Sequence, residues 1–117
     1  MQECILMQEC IFCKIIQKKI PASVIAENKS VIVIKDTAPK APIHYLIIPK
    51  NHIKNIASLD SDTIKDAAGI LQMAQQLSRD LLGSQSFRLV MNNGIDAGQT
   101  VFHLHCHFIS GKQLSDF

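Results

Sequence analysis

His103-Leu104-His105-Cys106-His107-Phe108 decides both the fold and the chemistry of this chain. Successive side chains of a strand point to opposite faces, so the three histidines share one face. Leu104, Cys106 and Phe108 share the other, which is a core face and predicts a strand over residues 102–109. Three imidazoles on the remaining face are costly to bury without a purpose. Two chemistries fit them. Histidines at i and i+2 on a strand can chelate one metal ion. Neighbouring imidazoles, with an ordinary pKa of about 6.5, can also divide the roles of nucleophile and proton donor in attack on phosphorus. The residues alone leave both readings open.

Just upstream lies Asn92-Asn93-Gly94-Ile95-Asp96-Ala97-Gly98-Gln99-Thr100, a loop with amides, a hydroxyl and two glycines. Glycines let backbone N–H groups approach an anion closely, so in this position the loop reads as a phosphate cradle. Further out, alternating and β-branched runs predict strands over 24–27, 31–35, 44–49 and 87–92. Asn28-Lys29-Ser30 reads as the turn of a hairpin, and the two prolines within 36–42 make a loop. The spacing of Ile64, Ala67, Leu71, Ala74, Leu77 and Leu81 predicts a helix over 61–82, with Asp60 or Ser61 at its start and Gly83 past its end. Ile70 and Met73 lie beside that stripe as a candidate partner surface. A shorter helical rhythm over 12–19 should stop at Pro21. The order is three strands, a helix and two strands. It predicts an α+β fold: a five-stranded antiparallel sheet, one long covering helix and a short N-terminal helix.

The chain has 117 residues and a mass of 13.0 kDa, the size of one domain spanning 1–117. With 47% hydrophobic and 19% charged residues it is no disordered chain. Its net charge of +2 is small and its Lys and Arg are scattered, so no nucleic-acid groove is predicted and no nucleic-acid partner is expected. Nothing approaches the roughly 18 apolar residues of a membrane span, and no basic leader precedes an apolar run, so a cytoplasmic protein is expected. Met1-Gln2-Glu3-Cys4-Ile5 is echoed by Met7-Gln8-Glu9-Cys10-Ile11, and residues 1–6, Cys4 included, are expected to be a dispensable leader. In a reducing compartment Cys10-x-x-Cys13 reads as a metal or redox pair, or as plain core. Cys106 belongs to the core face.

The triad followed by Phe108-Ile109 resembles the signature of the histidine triad (HIT) family. Cys10-Ile11-Phe12-Cys13-Lys14-Ile15-Ile16, Ile20-Pro21-Ala22, Ala41-Pro42-x-His44, Ile47-Ile48-Pro49-Lys50-x-His52-Ile53 and the loop 92–100 are similar, in order, to its nucleotide-binding (Hint) branch. The resemblance covers about residues 8–113. It implies a homodimeric hydrolase that binds purine nucleoside monophosphates and cleaves the P–N bond of their 5′-phosphoramidates, without an organic cofactor. By the same matching His105 is the nucleophile, and a nucleotidylated His105 forms before water releases the nucleotide. His107 donates to a phosphate oxygen, while His44 and His103 orient and polarise the other rings. Asn92, Gln99 and Thr100 contact the phosphate or the leaving group, and Asp36 accepts from the ribose hydroxyls. Ile11, Phe12, Ile15, Ile20 and Ile34 line the base and ribose pocket. Cys10, Cys13, His52 and His103 form a structural Cys₂His₂ zinc set. The long helix and the fourth strand meet their symmetry mates in the dimer. Ser110-Gly111 and the end Gln113 to Phe117, without Trp, depart from the family pattern where the tail sets leaving-group preference. Related activities to set against this are dinucleoside polyphosphate hydrolysis, a non-catalytic nucleotide-binding scaffold and a simple metallohydrolase.

Overall fold

The computed structural model describes residues 9–81 and 86–116. The expected leader at 1–6, Cys4, Gly83 and Phe117 lie outside the described residues. Helix α1 (Ile11–Ile16) leads into β1 (Val24–Glu27), β2 (Val31–Lys35) and β3 (Ile43–Pro49). A short 3₁₀ turn (Ile56–Ser58) precedes helix α2 (Ile64–Asp80), which is followed by β4 (Phe87–Val90), a second 3₁₀ turn (Ile95–Ala97) and β5 (Cys106–Ser110). The sheet order is β1-β2-β3-β5-β4, and every neighbouring pair is antiparallel. This is the α+β architecture predicted by the strand–helix pattern.

Both faces of the central strands are covered. Val31 and Val33 of β2 pack with Ile47, Ile70, Met73, Leu77, Leu104, Cys106 and Phe108 under α2. Ile32 and Ile34 pack with Leu46, Ile48, Phe12, Cys13 and Ile15 under α1. A strand buried on both faces loses its polar alternation, which explains the unbroken Val31-Ile32-Val33-Ile34 run. The hairpin turn closes as expected: Asn28 Oδ1 accepts from the N–H groups of Ser30 at 2.8 Å and Val31 at 2.9 Å.

Three expectations need correction. The N-terminal helix ends at Ile16, well before Pro21, because Lys18 turns into the left-handed region with φ 64° and Lys19 N–H closes back on Lys14 O at 2.8 Å. The fifth strand starts at Cys106, not 102. Before that point the main chain turns to other partners, with Leu104 N–H donating to Ile53 O. The long helix starts at Ile64, after a turn in which Asp60 Oδ1 accepts from Asp62 and Thr63 N–H at 2.9 and 3.0 Å.

The inward face of α2 also differs from the stripe read in the sequence. Ile70 and Met73 are 0% and 2% exposed and form the core, whereas Ile64 and Leu71 are 58% and 59% exposed. The expected partner surface at Ile70 and Met73 is therefore interior. Two overlapping apolar stripes exist on this helix, which meet in Ala74 and Leu77, and packing under the sheet buries the one through Ile70 and Met73.

Candidate functional site

The histidines gather on the α1 side of the sheet. The β3–β5 register sets Leu46 opposite His107 and His44 opposite Ile109, so His44 and His107 are diagonal neighbours on one face. Their rings meet with His44 Nε2 2.9 Å from His107 Nδ1. Asp36, just past β2, brings Oδ2 to 3.4 Å from His44 Nε2 and 3.9 Å from His107 Nδ1. His105 stands next to His107, ring centroids 5.3 Å apart, and Phe12 of α1 meets the His105 ring edge-on at 5.1 Å. The alternation read in the sequence therefore holds through 103–108, although only its second half is strand.

Backbone partners fix the proton positions on two of these rings. His105 Nδ1 lies 2.8 Å from the carbonyl oxygen of His103. A carbonyl only accepts, so Nδ1 carries a proton, and in the neutral tautomer this selects the lone pair is on Nε2. His103 Nε2 lies 2.7 Å from the carbonyl of Pro49, so its proton sits there and Nδ1 is the free base. Burial holds the rings neutral: it pushes His103 down to about 4 and His107 down to about 4, with neighbouring imidazole charges adding to the shift at both. His44 is also lowered by burial, against the pull of Asp36.

His103 Nδ1 faces the thiols of α1. It lies 3.3 Å from Cys10 Sγ and 3.5 Å from Cys13 Sγ, while His52 Nδ1 lies 3.2 Å from Cys13 Sγ. All four ligand atoms fall within 4.8 Å of one another. Tetrahedral zinc with ordinary Zn–S and Zn–N bonds sets sulfur and nitrogen about 3.5 Å apart, so the set fits such an ion. Pro49 O supplies the outer hydrogen bond that a ligating histidine usually makes. Cys13 is pushed up to about 12, first by burial and then by its hydrogen bond and charge contact with Cys10, so only a cation at the centre would make it a thiolate. Cys10 caps α1, its Sγ accepting from Cys13 N–H at 3.4 Å.

The remaining predicted residues divide. Phe12, Ile15 and Ile34 are buried in the α1-side core, Ile20 is half-buried against it, and Ile11 is exposed. Thr100 is exposed and lines a cavity of about 340 Å³ with Cys10, Ile11 and His52. Asn92 is half-buried near Gly98, whose φ of 95° ends the second 3₁₀ turn and where an added Cβ would stand 3.9 Å from Asn92 Cγ. Gln99 differs from the expectation that it reaches a phosphate. It is 3% exposed and bound to the main chain, accepting from Gly94 N–H and donating to Lys54 O and Val101 O at 2.8, 2.8 and 3.1 Å. It braces the glycine loop. A larger cavity of about 690 Å³ is lined by Lys54, Asn55, Phe102 and residues 93–97, with no histidine among them. Sequence reading missed the main-chain partners, Lys40 N–H at 3.0 Å from His44 Nδ1 above all, because a backbone group leaves no mark in residue identity.

The chain resembles known proteins over nearly its whole length. The family model described as scavenger mRNA decapping enzyme C-term binding matches residues 9–117. An uncharacterised HIT-like protein of Synechocystis is 38% identical over 108 residues, 92% of this chain and 95% of that one. A solved HIT family hydrolase from Clostridium thermocellum has a TM-score of 0.88 at 40% identity, covering 94% of this chain and 96% of its own. A zinc-bound histidine triad family protein from Mycobacterium smegmatis has a TM-score of 0.78 at 30% identity, covering 91% and 77%. With its sheet, its row of imidazoles and these relatives in agreement, the chain belongs to the histidine triad family.

Proposed function

We propose that the protein is a purine nucleotide-binding hydrolase that cleaves nucleoside 5′-phosphoramidates through a nucleotidylated His105. The observation that carries this reading is the His105 Nδ1 hydrogen bond to His103 O, which in the neutral ring puts the nucleophilic lone pair on Nε2. Nε2 attacks the α-phosphorus, an N–P bond forms, and the P–N bond to the amine breaks as the leaving nitrogen takes a proton from solvent, a proton that the hydrolytic water of the second step returns. Water then cleaves the His105–phosphorus bond and releases the nucleoside monophosphate. His107 donates to a phosphoryl oxygen as charge develops there, a contribution strongest in a partly buried site. Asp36 accepts from the ribose, Asn92 and Thr100 flank the phosphate, and exposed Ile11 with half-buried Ile20 borders the base.

A structural zinc on Cys10, Cys13, His52 and His103 would tie α1 to the loop after β3 and to the approach to β5. Its chemistry is that of a cross-link. The partner in a homodimer is a second copy of the chain. The exposed Leu71 of α2 and the edge strand β4, with Phe87 37% exposed, supply the candidate surface in place of Ile70 and Met73.

The test is a steady-state comparison of AMP and GMP phosphoramidates with diadenosine polyphosphates. Phosphoramidates should turn over faster by orders of magnitude. His105→Asn should abolish turnover while nucleotide binding survives, and rapid quench of the wild type should trap a nucleotidylated chain. Near-normal kcat in His105→Asn would falsify the covalent route. Preferential cleavage of the dinucleotides would assign the other hydrolase class.

A further inference from the structure

We infer that the main-chain N–H of Lys40 sets the tautomer of His44 and, through it, that of His107, which makes the 36–42 loop a positioning device for the imidazole row. Asp36 shapes that loop from both its ends. Its own N–H donates to His44 O at 3.0 Å, and its Oδ1 accepts from Ala38 N–H at 2.8 Å. The turn so formed sets Lys40 N–H 3.0 Å from His44 Nδ1.

The rest follows from proton counting. A backbone N–H only donates, so His44 Nδ1 must be the accepting lone pair. A neutral imidazole carries one proton, which therefore sits on His44 Nε2. That N–H points at His107 Nδ1, 2.9 Å away, with Asp36 Oδ2 as a second acceptor at 3.4 Å. The reverse direction, His107 Nδ1–H donating to His44 Nε2, would put a proton on His44 Nδ1 against the Lys40 N–H. His107 Nδ1 therefore accepts, and its proton is on Nε2. Burial keeps both rings neutral at physiological pH, so this order is stable there. Under the reading proposed above, the Nε2–H of His107 is the donor that a phosphoryl oxygen needs, and Lys40 acts through two rings without touching substrate.

The same N–H bars a divalent cation from Asp36, His44 and His107, whose ligand atoms lie within 4.8 Å of one another. Binding a metal through His44 Nε2 while Nδ1 accepts a hydrogen bond would require an imidazolate. A cation therefore goes to the Cys/His set, where His103 and its Pro49 partner present the correct nitrogen.

Long-range ¹H–¹⁵N correlation spectra of the whole protein at pH 7 test this without reference to activity. Wild type should show His44 and His107 protonated at Nε2, and a ¹⁵N–¹⁵N coupling across the Lys40 N–H to His44 Nδ1 hydrogen bond. Lys40→Ala keeps the N–H and should leave both tautomers unchanged. Lys40→Pro removes it and should give His44 a mixture of tautomers, with slower phosphoramidate turnover at little-changed KM. A proton on His44 Nδ1 in wild type overturns the inference, as does a Lys40→Pro protein that keeps the wild-type pattern. Should Lys40→Pro fail to fold, the wild-type coupling decides: its presence supports the hydrogen bond and its absence refutes it. Turnover surviving in His105→Asn would sink the proposed reaction and leave this assignment standing.

Discussion

Chelating the zinc proposed for the Cys/His set should change this protein in a way that no packed thiol pair could reproduce. Cys10, Cys13, His52 and His103 bring their ligand atoms within 4.8 Å, and Cys10 and Cys13 belong to the α1-side core. The α2-side core contains none of the four, so a chelated protein should stay folded while α1 loosens. Free zinc a thousandfold above its dissociation constant stabilises a native state by about 4 kcal/mol. For a domain of this size that corresponds to a melting shift of roughly 15 °C, taking about 4 °C per kcal/mol. Ligation must also strip protons from both thiols, and burial works against this at Cys13, which is pushed up to about 12. His103, pushed down to about 4, arrives already neutral. Zinc binding should therefore release about two protons and tighten with pH, by up to about a hundredfold per unit near neutrality. Elemental analysis should give one zinc per chain, calorimetry in buffers of different ionisation heat should count the protons, and Cys13→Ser should lose the ion and the stabilisation together. A metal-free preparation made without chelators, or a melting point indifferent to chelation, would refute the reasoning.

Other outcomes follow from packing and protonation. Ile70→Ala should cost about 2–5 kcal/mol as a fully buried truncation, while Leu71→Ala, at 59% exposure, should stay within about 0.5 kcal/mol; equal effects in chemical denaturation would contradict the assigned helix face. Lys18→Gly should stabilise by about 0.5–1 kcal/mol by relieving the left-handed residue at φ 64°, and a lower melting point would argue against that backbone. For the chelated protein, His103 and His107 stay neutral down to about 4 when folded but take up protons near 6.5 when unfolded. The unfolded chain thus binds more protons across that window, so stability should rise from pH 4 to 6.5 and be lost on acidification; a flat urea midpoint across the window would show that the rings are not buried neutral.

Much of this protein is readable in its residues. The family resemblance points to the four members of the Cys/His set, while the alternation of 103–108 separates imidazoles from core and the β-branched runs mark the strands. These are local signals, a period of two or a residue identity, and they survive without knowledge of neighbours. Other features depend on what lies opposite. Whether Ile70 or Leu71 faces inward depends on how the helix packs against the sheet, because both lie on apolar stripes of one helix in the sequence. The start of β5 depends on which partner takes the Leu104 N–H, and the end of α1 on a single residue turning left-handed. The role of Gln99 depends on three main-chain groups from two segments. Above all, the proton on each imidazole is placed by backbone atoms of His103, Pro49 and Lys40, which every residue type carries alike. The sequence by itself determines which rings are present and which face they share; only the tertiary structure decides which nitrogen of each is free to act, because that choice is made by hydrogen bonds to a main chain with no sequence of its own.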